Sequence, residues 1–257
     1  MIRLGDVADE AETRAWRSPP SPPLGMRSVH VWRIRLGSAC TAAHWLLLSE
    51  AERTRANRFH QVAHQEKFVI AHGMLRRIVS QYLDQAPTSL EFALGPHGKP
   101  YVVCPPGPCT DRLEFNLSHS GDFALVAVSR GSNVGVDVEQ WRRDIEHLDL
   151  AEHFFSAMEV HALEQLAGVH DHVVAGFFSA WSRKEAYLKA TGVGIARGLD
   201  HFDVELVPDQ PARLLADARD PSAPERWTMT ALPVASGYSA ALVAEAPIDQ
   251  ILLFDAT

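Results

Sequence analysis

The stretch FFSAWSRKEAYLKATGVGI, residues 177–195, predicts a helix that ends at a glycine turn. On such a helix Trp181, Glu185 and Lys189 recur every four residues and share one face, so that a carboxylate and an ammonium lie one turn apart. This pair can form part of a functional site. It can equally be a surface ion pair, because Glu placed four residues before Lys is the favoured orientation for one. The rest of the sequence has to distinguish these two interpretations.

The composition is that of an acidic globular protein. The chain has 257 residues, of which 46% are hydrophobic and 22% charged, and a formal net charge of −8. This length allows one large domain or two lobes of about 110 to 130 residues each. The negative charge argues against an unspecific nucleic-acid-binding protein.

The cysteine content and the hydropathy pattern predict a soluble cytoplasmic protein. Cys40, Cys104 and Cys109 leave one cysteine over under any pairing and form no CxxC motif, which indicates a reducing compartment and no structural zinc. The sequence begins without the apolar run of a signal peptide. No stretch approaches the roughly 20 apolar residues of a membrane span.

Strand and helix patterns alternate along the chain. Ser49 followed by Glu52 is a capping signature for a helix that begins at residue 50. Strand patterns are predicted at 29–36, 101–104, 113–117, 123–128, 133–139, 201–207, 226–232 and 238–246. Further helices are predicted at 65–83, 148–166 and 173–190. A boundary between lobes is expected near residues 130–133.

The segment NVGVDVEQ, residues 133–140, is the candidate metal site. A strand would put its valines on one face and Gly135, Asp137 and Glu139 on the other. Two carboxylates beside a glycine that clears space can bind one Mg²⁺, which prefers oxygen ligands and keeps waters or substrate phosphates as the others. The alternative is a strand with a solvated acidic face. Glu185 is the natural candidate for a third carboxylate.

Two further segments carry groups that suit phosphate. In FNLSHSGD, residues 115–122, Ser118 and His119 precede a glycine turn and can donate hydrogen bonds to phosphate oxygens, and a protonated His119 adds charge. Lys99 lies in the stiff GKP turn and presents a point charge there. The alternatives are a structural histidine and a lysine that serves only solubility.

Other catalytic templates are absent from the sequence. The chain contains no Walker phosphate loop, no HExxH motif and no GxSxG motif. GVGIARG, residues 192–198, follows a predicted helix, whereas a dinucleotide-binding loop should follow a strand. We interpret its first glycines as the end of the helix.

Four motifs together resemble one enzyme family. They are GKP at 98–100, FNLSHSGD at 115–122, VGVDVE at 134–139 and WSRKEAYLKATGVGI at 181–195. In this order and spacing they resemble the 4′-phosphopantetheinyl transferases. More narrowly, they resemble the larger monomeric type that activates nonribosomal peptide and polyketide synthases, in the subgroup with tryptophan and KEA in the last motif. The resemblance covers about residues 29–245.

The resemblance implies a particular fold. It is an α/β fold of the α+β type, a pseudo-twofold arrangement of two similar lobes, each a small and mostly antiparallel sheet packed with helices. The N-terminal lobe is expected at 29–131 and the C-terminal lobe at 132–257, with the active site in the cleft between them. Residues 1–28 are expected to be a flexible, proline-rich arm.

The resemblance also implies site residues. The metal ligands of the family match Asp137, Glu139 and Glu185, and catalytic roles match Glu185, Lys189 and Asp137. Contacts to coenzyme A match Arg55, Lys99, Ser118, His119, Asp137 and Lys189. Glu52 departs from the family, because some relatives have a basic residue there. Recognition of the 3′-phosphate is therefore expected to depend on Arg55, Arg53 and His119.

The implied reaction transfers 4′-phosphopantetheine from coenzyme A to a serine of an apo acyl or peptidyl carrier protein, with Mg²⁺, and releases adenosine 3′,5′-bisphosphate. Glu185 or a metal-bound water would accept the proton of that serine. The enzyme would act as a cytoplasmic monomer without nucleic-acid or membrane partners. The alternatives are a module that binds coenzyme A without transfer and a Mg²⁺-dependent hydrolase that cleaves it.

Overall fold

Separate β-sheets, each covered by helices, organise the chain into a mixed α+β fold. The computed structural model of the protein describes residues 16–17, 23–37, 40–103, 112–194 and 198–256. The first sheet has the order β11–β1–β5–β4, with bounds Gln250–Ala256, Ser28–Arg35, Phe123–Arg130 and Leu113–Ser120. The second has the order β6–β10–β9, with bounds Val134–Gln140, Tyr238–Glu245 and Trp227–Ala231.

Short hairpins and helices complete the described chain. The hairpins pair β2 with β3 (Phe92–Leu94 and Pro100–Val102) and β7 with β8 (Phe202–Val204 and Leu214–Asp217). The helices are α1 Thr41–Trp45, α2 Glu50–Ala56, α3 Val62–Leu83, α4 His147–Phe154, α5 Ala157–Glu164, α6 His170–Thr191 and α7 Ala223–Arg226. Within the described ranges, none of these helices combines the length and the apolar character that a membrane crossing needs.

The two sheets pack face to face between two long helices. Val31 of the first sheet and Val136 of the second belong to one buried cluster, which fills the space between the sheets. Trp32 points to the opposite side and packs in a cluster with Ile78 of α3. Strand β1 is therefore buried on both of its faces. For this reason apolar side chains occur on both sides of the strand.

Helix α6 covers the outer face of the second sheet. Phe177 and Leu188 of α6 are buried in one cluster with Val243 of β10. The helix comes closest to β6 at Gly135, where a Cβ atom would lie 2.2 Å from the carbonyl oxygen of Ala186 and 2.3 Å from the amide nitrogen of Ala190. The sequence predicted that this glycine clears space for a ligand, but the backbone of α6 occupies that space.

Most predicted elements are present, with shifted ends. The capping signature is confirmed, because Ser49 Oγ accepts from the amide of Glu52 at 3.2 Å and the Glu52 carboxylate accepts from the amide of Ser49 at 2.8 Å. The helix predicted at 173–190 is α6, which is capped by Gly192, and the φ of +68° at this position favours glycine. Ser118 and His119 lie inside strand β4.

The continuous helix predicted at 148–166 is wrong. The chain forms α4 and α5 instead, and Ser156 lies between them as the cap of the second helix. Its hydroxyl accepts from the amide of Glu159 at 3.2 Å. Helical periodicity alone did not reveal this break, because both helices turn apolar residues towards α6.

The C-terminal strand β11 was not predicted, and it belongs to the first sheet. It pairs in parallel with β1, with Val31 opposite Leu253, although the sequence-based division puts residues 250–256 in the second lobe. A short strand that pairs with a segment far away in the sequence is not revealed by the pattern of its own residues. The division into two lobes at about residue 131 stays a prediction.

Part of the predicted flexible arm is packed onto the fold. Trp16 is buried and donates from Nε1 to the carbonyl oxygen of Pro233 at 2.6 Å. Arg17 pairs with β11, since its amide donates to Leu253 and its carbonyl oxygen accepts from Asp255. These two residues therefore contact the fold, and the flexibility of the arm stays a prediction. Residues 1–15 and 18–22, together with Cys104 and Cys109, lie outside the described residues.

Candidate functional site

The candidate site lies where the edges of the two sheets meet. Strand β4 is an outer strand of the first sheet and β6 an outer strand of the second, and side chains of β4 bond to β6. The outer face of β6 also contacts α6. Residues from β4, β6 and α6 therefore converge at one place.

Asp137 is the centre of this arrangement. Its side chain is 3% exposed, and Oδ1 accepts from Lys189 Nζ at 2.5 Å and from Ser118 Oγ at 2.7 Å. Oδ2 is buried and has no hydrogen-bond partner among the described residues. Burial raises the pKa of Asp137, and the adjacent Lys189 ammonium opposes that shift. A buried carboxylate oxygen without a partner is costly, so this atom is suited to a ligand.

Glu139 and Glu185 carry the other two predicted metal-binding carboxylates. Burial, followed by the neighbouring charge of Asp137, raises the pKa of Glu139 to about 7. Burial also raises the pKa of Glu185, which Lys189 opposes. Asp137 and Glu185 both repel the charge of Glu139. The three carboxylates are thus electrostatic neighbours whose mutual repulsion a cation would relieve.

The donor set fits a divalent metal ion in its chemistry. Carboxylate oxygens are the ligands that Mg²⁺ prefers, and the unpartnered Oδ2 of Asp137 supplies a buried one. Over the described ranges, however, no three His, Cys, Asp or Glu side chains stand at metal-ligating distances. Lys189 holds the other oxygen of Asp137 in this arrangement.

A cavity of about 640 Å³ opens beside β4 and is lined by basic side chains from α2, α3 and β4. Arg55 and His119 lie on its wall, as the sequence predicted for coenzyme contacts. Desolvation, together with the positive charges of His72 and Lys189, lowers the pKa of His119. Because this lowers a pKa that is ordinarily already below 7, the neutral imidazole is favoured in the free protein. A phosphate contact by His119 stays a prediction.

A second cavity of about 350 Å³ is lined by both Glu185 and Lys189. Gly98, Pro100 and Leu117 line both cavities, so the GKP turn and β4 form the ridge between them. The predicted site residues that line these cavities therefore divide into two groups, and Ser118, Asp137 and Glu139 line neither of them. Arg55 and His119 face the larger cavity, and Lys99, Glu185 and Lys189 face the smaller one.

Two predicted phosphate ligands are engaged with the protein itself. Ser118 was expected to donate to phosphate, but its hydroxyl donates to Asp137 and its oxygen accepts from Lys189 at 3.1 Å. Lys99 was expected to project from its turn. Its Nζ instead donates to the carbonyl oxygens of Val134 at 2.9 Å and Ala190 at 3.4 Å, and burial lowers its pKa.

The substitution at Glu52 has a structural explanation. Glu52 caps α2 and accepts from Arg76 Nε at 2.7 Å, and Arg76 is 2% exposed. Arg53 does not compensate at the cavity, as the sequence suggested, because its guanidinium donates to the carbonyl oxygens of Trp45 and Leu46, both at 3.2 Å. Of the residues proposed for the 3′-phosphate, Arg55 and His119 line the cavity.

Sequence reasoning missed two polar residues on the site strand. Asn116 Oδ1 accepts from the amide of Val136 at 2.9 Å, and Ser120 Oγ donates to Glu139 Oε2 at 3.0 Å. The available signal was the period of two in FNLSHS, which puts Asn116, Ser118 and Ser120 on one side of a strand. That signal was missed because the predicted strand ended at residue 117, before Ser118 and Ser120.

Comparison with known proteins assigns the chain to a family. Residues 133–243 match the profile described as the 4′-phosphopantetheinyl transferase superfamily, and residues 38–131 match that of a 4′-phosphopantetheinyl transferase N-terminal region. The 4′-phosphopantetheinyl transferase HetI of Nostoc sp. is 37% identical over 203 residues, which cover 76% of this chain and 81% of HetI. The chain belongs to the 4′-phosphopantetheinyl transferase superfamily.

Other members of the superfamily are similar over most of their length. A putative 4′-phosphopantetheinyl transferase of Synechocystis sp. is 30% identical over 208 residues, which cover 79% of each chain. The 4′-phosphopantetheinyl transferase Sfp of Bacillus subtilis is 27% identical over 175 residues, which cover 68% of this chain and 74% of Sfp. The predicted family and its transferase activity class are therefore confirmed, whereas the narrower subgroup stays a prediction.

Proposed function

We propose that this transferase moves the 4′-phosphopantetheine group of coenzyme A onto a serine hydroxyl of an apo acyl or peptidyl carrier protein. The serine oxygen forms a bond to the β-phosphorus of the coenzyme, and the bond from that phosphorus to the bridging oxygen breaks. Adenosine 3′,5′-bisphosphate leaves with that oxygen, and the serine proton passes to a base. The observation that carries the proposal is the buried Asp137, which lies beside the ammonium of Lys189 and whose Oδ2 has no hydrogen-bond partner among the described residues.

Charge complementarity supports coenzyme A as the phosphate donor. Arg55 and His119 line the larger cavity and would receive the 3′-phosphate of the nucleotide. Lys189 and Lys99 line the smaller cavity. The pyrophosphate of the coenzyme would therefore lie near the ridge between the two cavities. An anionic phosphate beside His119 would favour its protonated form, so the imidazole can gain a charge when the coenzyme binds.

Asp137, Glu139 and Glu185 would hold Mg²⁺ at this site. When bound, the ion would neutralise charge on the pyrophosphate and favour the departure of adenosine 3′,5′-bisphosphate. Lys189 contributes a fixed positive charge next to the phosphates, and it is held there by Asp137 Oδ1 and Ser118 Oγ. Such a group is useful because its position needs little reorganisation when negative charge develops.

Glu185 is the proposed base for the serine proton. Burial raises its pKa above the usual glutamate range, which brings the carboxylate closer to the basicity that a general base needs at neutral pH. It also lines the smaller cavity, next to Lys189. We further propose that the enzyme acts in the cytoplasm as a monomer, in keeping with its cysteine content and its family.

The test is the mass of the acceptor. The full chain is incubated with coenzyme A, Mg²⁺ and each of several apo carrier proteins, and each carrier is weighed by mass spectrometry. The proposal predicts that at least one carrier gains one phosphopantetheine group and that omitting Mg²⁺ prevents the gain. Glu185→Gln should lose most of the rate and remain folded.

Two results would contradict the proposed reaction. Coenzyme A that binds while no carrier gains mass would indicate a binding module. Cleavage of coenzyme A at the same rate with and without a carrier would indicate a hydrolase.

A further inference from the structure

Side chains of β4, rather than a backbone ladder, supply the hydrogen bonds recorded across the junction of the two sheets. In the described part of the chain, the ladder of β4 runs to β5 and that of β6 runs to β10. Across the junction, Asn116 accepts from the amide of Val136 and Ser118 donates to Asp137 Oδ1 at 2.7 Å. Ser120 donates to Glu139 Oε2 at 3.0 Å. Three polar side chains of β4 therefore bond to Val136, Asp137 and Glu139 of β6.

Ser120 is held more firmly than a serine with a single partner. Its Oγ accepts from the amide of Gln140 at 3.0 Å while its hydroxyl donates to Glu139 at 3.0 Å. A hydroxyl group has one proton, so the bond from the amide to the oxygen leaves that proton for the carboxylate. The backbone of β6 thus fixes the oxygen of Ser120, and the proton of Ser120 fixes Glu139.

The turn after Ser120 holds the whole segment against the second sheet. Gly121 has a φ of +56°, and a Cβ atom there would lie 2.3 Å from Tyr238 Oη and 2.5 Å from Gln140 Oε1. The amide of Asp122 donates to Tyr238 Oη at 3.0 Å. Because both sides of this contact are filled, Ser120 cannot shift along β6 without moving the turn.

The two carboxylates of β6 differ in their partners. Asp137 accepts from Lys189 Nζ as well as from Ser118 Oγ, whereas within the described part of the chain the side chain of Glu139 accepts from Ser120 Oγ. Side chains that orient a metal-binding carboxylate contribute to metal affinity without touching the metal, by keeping the ligand in its binding orientation.

We propose that Ser120 is a positioning residue that orients Glu139 for the divalent cation. The proposal rests on the proposed function, because it takes Asp137 and Glu139 as metal ligands. It assigns to the second serine of SHSGD a role separate from that of Ser118, which holds Asp137 and Lys189. The first serine orients one carboxylate and the second serine orients the other.

The experiment measures binding of Mn²⁺, used as a spectroscopic substitute for Mg²⁺, to the full chain in the absence and presence of coenzyme A. The loss of the free Mn²⁺ signal in electron paramagnetic resonance gives the affinity. Ser120→Ala should weaken Mn²⁺ binding about tenfold or more. Binding of coenzyme A without metal should remain at the wild-type level, since Ser120 does not line the cavities.

Ser239→Ala is the matched control. Ser239 lies opposite Glu139 on the neighbouring strand β10, is buried, and accepts from Trp141 Nε1 at 2.8 Å. This variant removes a serine hydroxyl beside Glu139 without touching the carboxylate, so Mn²⁺ affinity should stay at the wild-type level. Equal losses in Ser120→Ala and Ser239→Ala would overturn the proposal, as would wild-type Mn²⁺ affinity in Ser120→Ala.

A double-mutant cycle separates positioning from a general effect on the fold. If Ser120 acts through Glu139, then Ser120→Ala should cause no further loss of Mn²⁺ affinity in the Glu139→Gln background. Additive losses would overturn the proposal. Failure of the carrier assay with the wild-type protein would count against the proposed function, whereas this cycle judges Ser120 on metal binding alone.

Discussion

Helix α6 carries two lysine–carboxylate pairs that differ in burial and in how completely their polar atoms are satisfied. Lys184 Nζ lies 2.7 Å from Glu159 Oε2, and the two side chains are 0% and 1% exposed. Lys184 also donates to the carbonyl oxygens of Leu199 and Phe202. Glu159 accepts from the amides of Val204 at 2.8 Å and Ser156 at 3.0 Å.

The second pair, five residues further along the helix, is incomplete. Lys189 is 29% exposed and holds Asp137 Oδ1 at 2.5 Å, while Asp137 Oδ2 has no partner in the described part of the protein. Both lysines face an acidic partner from another element. Lys189 of the second pair also lines the smaller cavity.

The difference separates a structural role from a functional one. A buried ion pair whose remaining atoms are all hydrogen-bonded has no capacity for a ligand, and removing one partner leaves an uncompensated charge. A buried pair with an unpartnered oxygen beside a cavity is completed by something that binds. The following predictions test this distinction, and they are ordered by the size of the expected effect.

Lys184→Met should destabilise the fold strongly. It leaves the buried Glu159 carboxylate without its cation, which typically costs 3–5 kcal/mol, by the general behaviour of broken buried pairs. Urea unfolding followed by circular dichroism measures the change. The double variant Lys184→Met/Glu159→Gln should recover at least about 1 kcal/mol, because no isolated charge remains. A loss below about 1 kcal/mol in the single variant would contradict a structural role for this pair.

Lys189→Met should show the opposite behaviour. We expect a rate of carrier modification about 10² to 10³ times lower, because a fixed charge next to the phosphates is removed. Stability should change by no more than about 1 kcal/mol, since Lys189 is partly exposed and Asp137 can take up a proton. The mass-spectrometric assay and urea unfolding are run on the same preparation. A large loss of stability with little loss of rate would show that Lys189, like Lys184, has a structural role.

Glu139→Gln should change how the stability of the metal-free protein depends on pH. Burial and Asp137 raise the pKa of Glu139 from 4.5 to about 7, so its favourable contribution is complete below pH 4.5 and is lost as pH rises to about 7. The wild-type protein should therefore lose about 1 to 3 kcal/mol relative to Glu139→Gln across this range. Parallel stability curves for the two proteins between pH 4.5 and 8 would show that folding does not raise the pKa of Glu139.

Local rules were enough to locate much of the site. Periodicity of two put Asp137 and Glu139 on one face of a strand, and periodicity of 3.6 put Glu185 and Lys189 on one face of a helix. The cap formed by Ser49 and Glu52 followed from a local motif, which the structure confirms. These features depend on neighbours within a few residues.

Contacts between distant segments could not be predicted in this way. Nothing near Lys184 in the sequence indicates that Glu159 lies on another helix at hydrogen-bonding distance, so the two lysines of α6 look equivalent in the sequence. Strand β11 pairs with β1 more than 200 residues away along the chain. Ser118 was correctly recognised as a donor, but its acceptor, Asp137, is set by the meeting of two sheet edges.

Ligand-induced stabilisation tests the central claim most directly. The unfolding temperatures of the wild type, Asp137→Asn and Glu159→Gln are measured with and without coenzyme A and Mg²⁺, because a ligand that binds only the folded state raises this temperature. We predict that the wild type and Glu159→Gln gain the same increase and that Asp137→Asn loses most of it. A full increase in Asp137→Asn, or its loss in Glu159→Gln, would contradict the distinction between the two pairs.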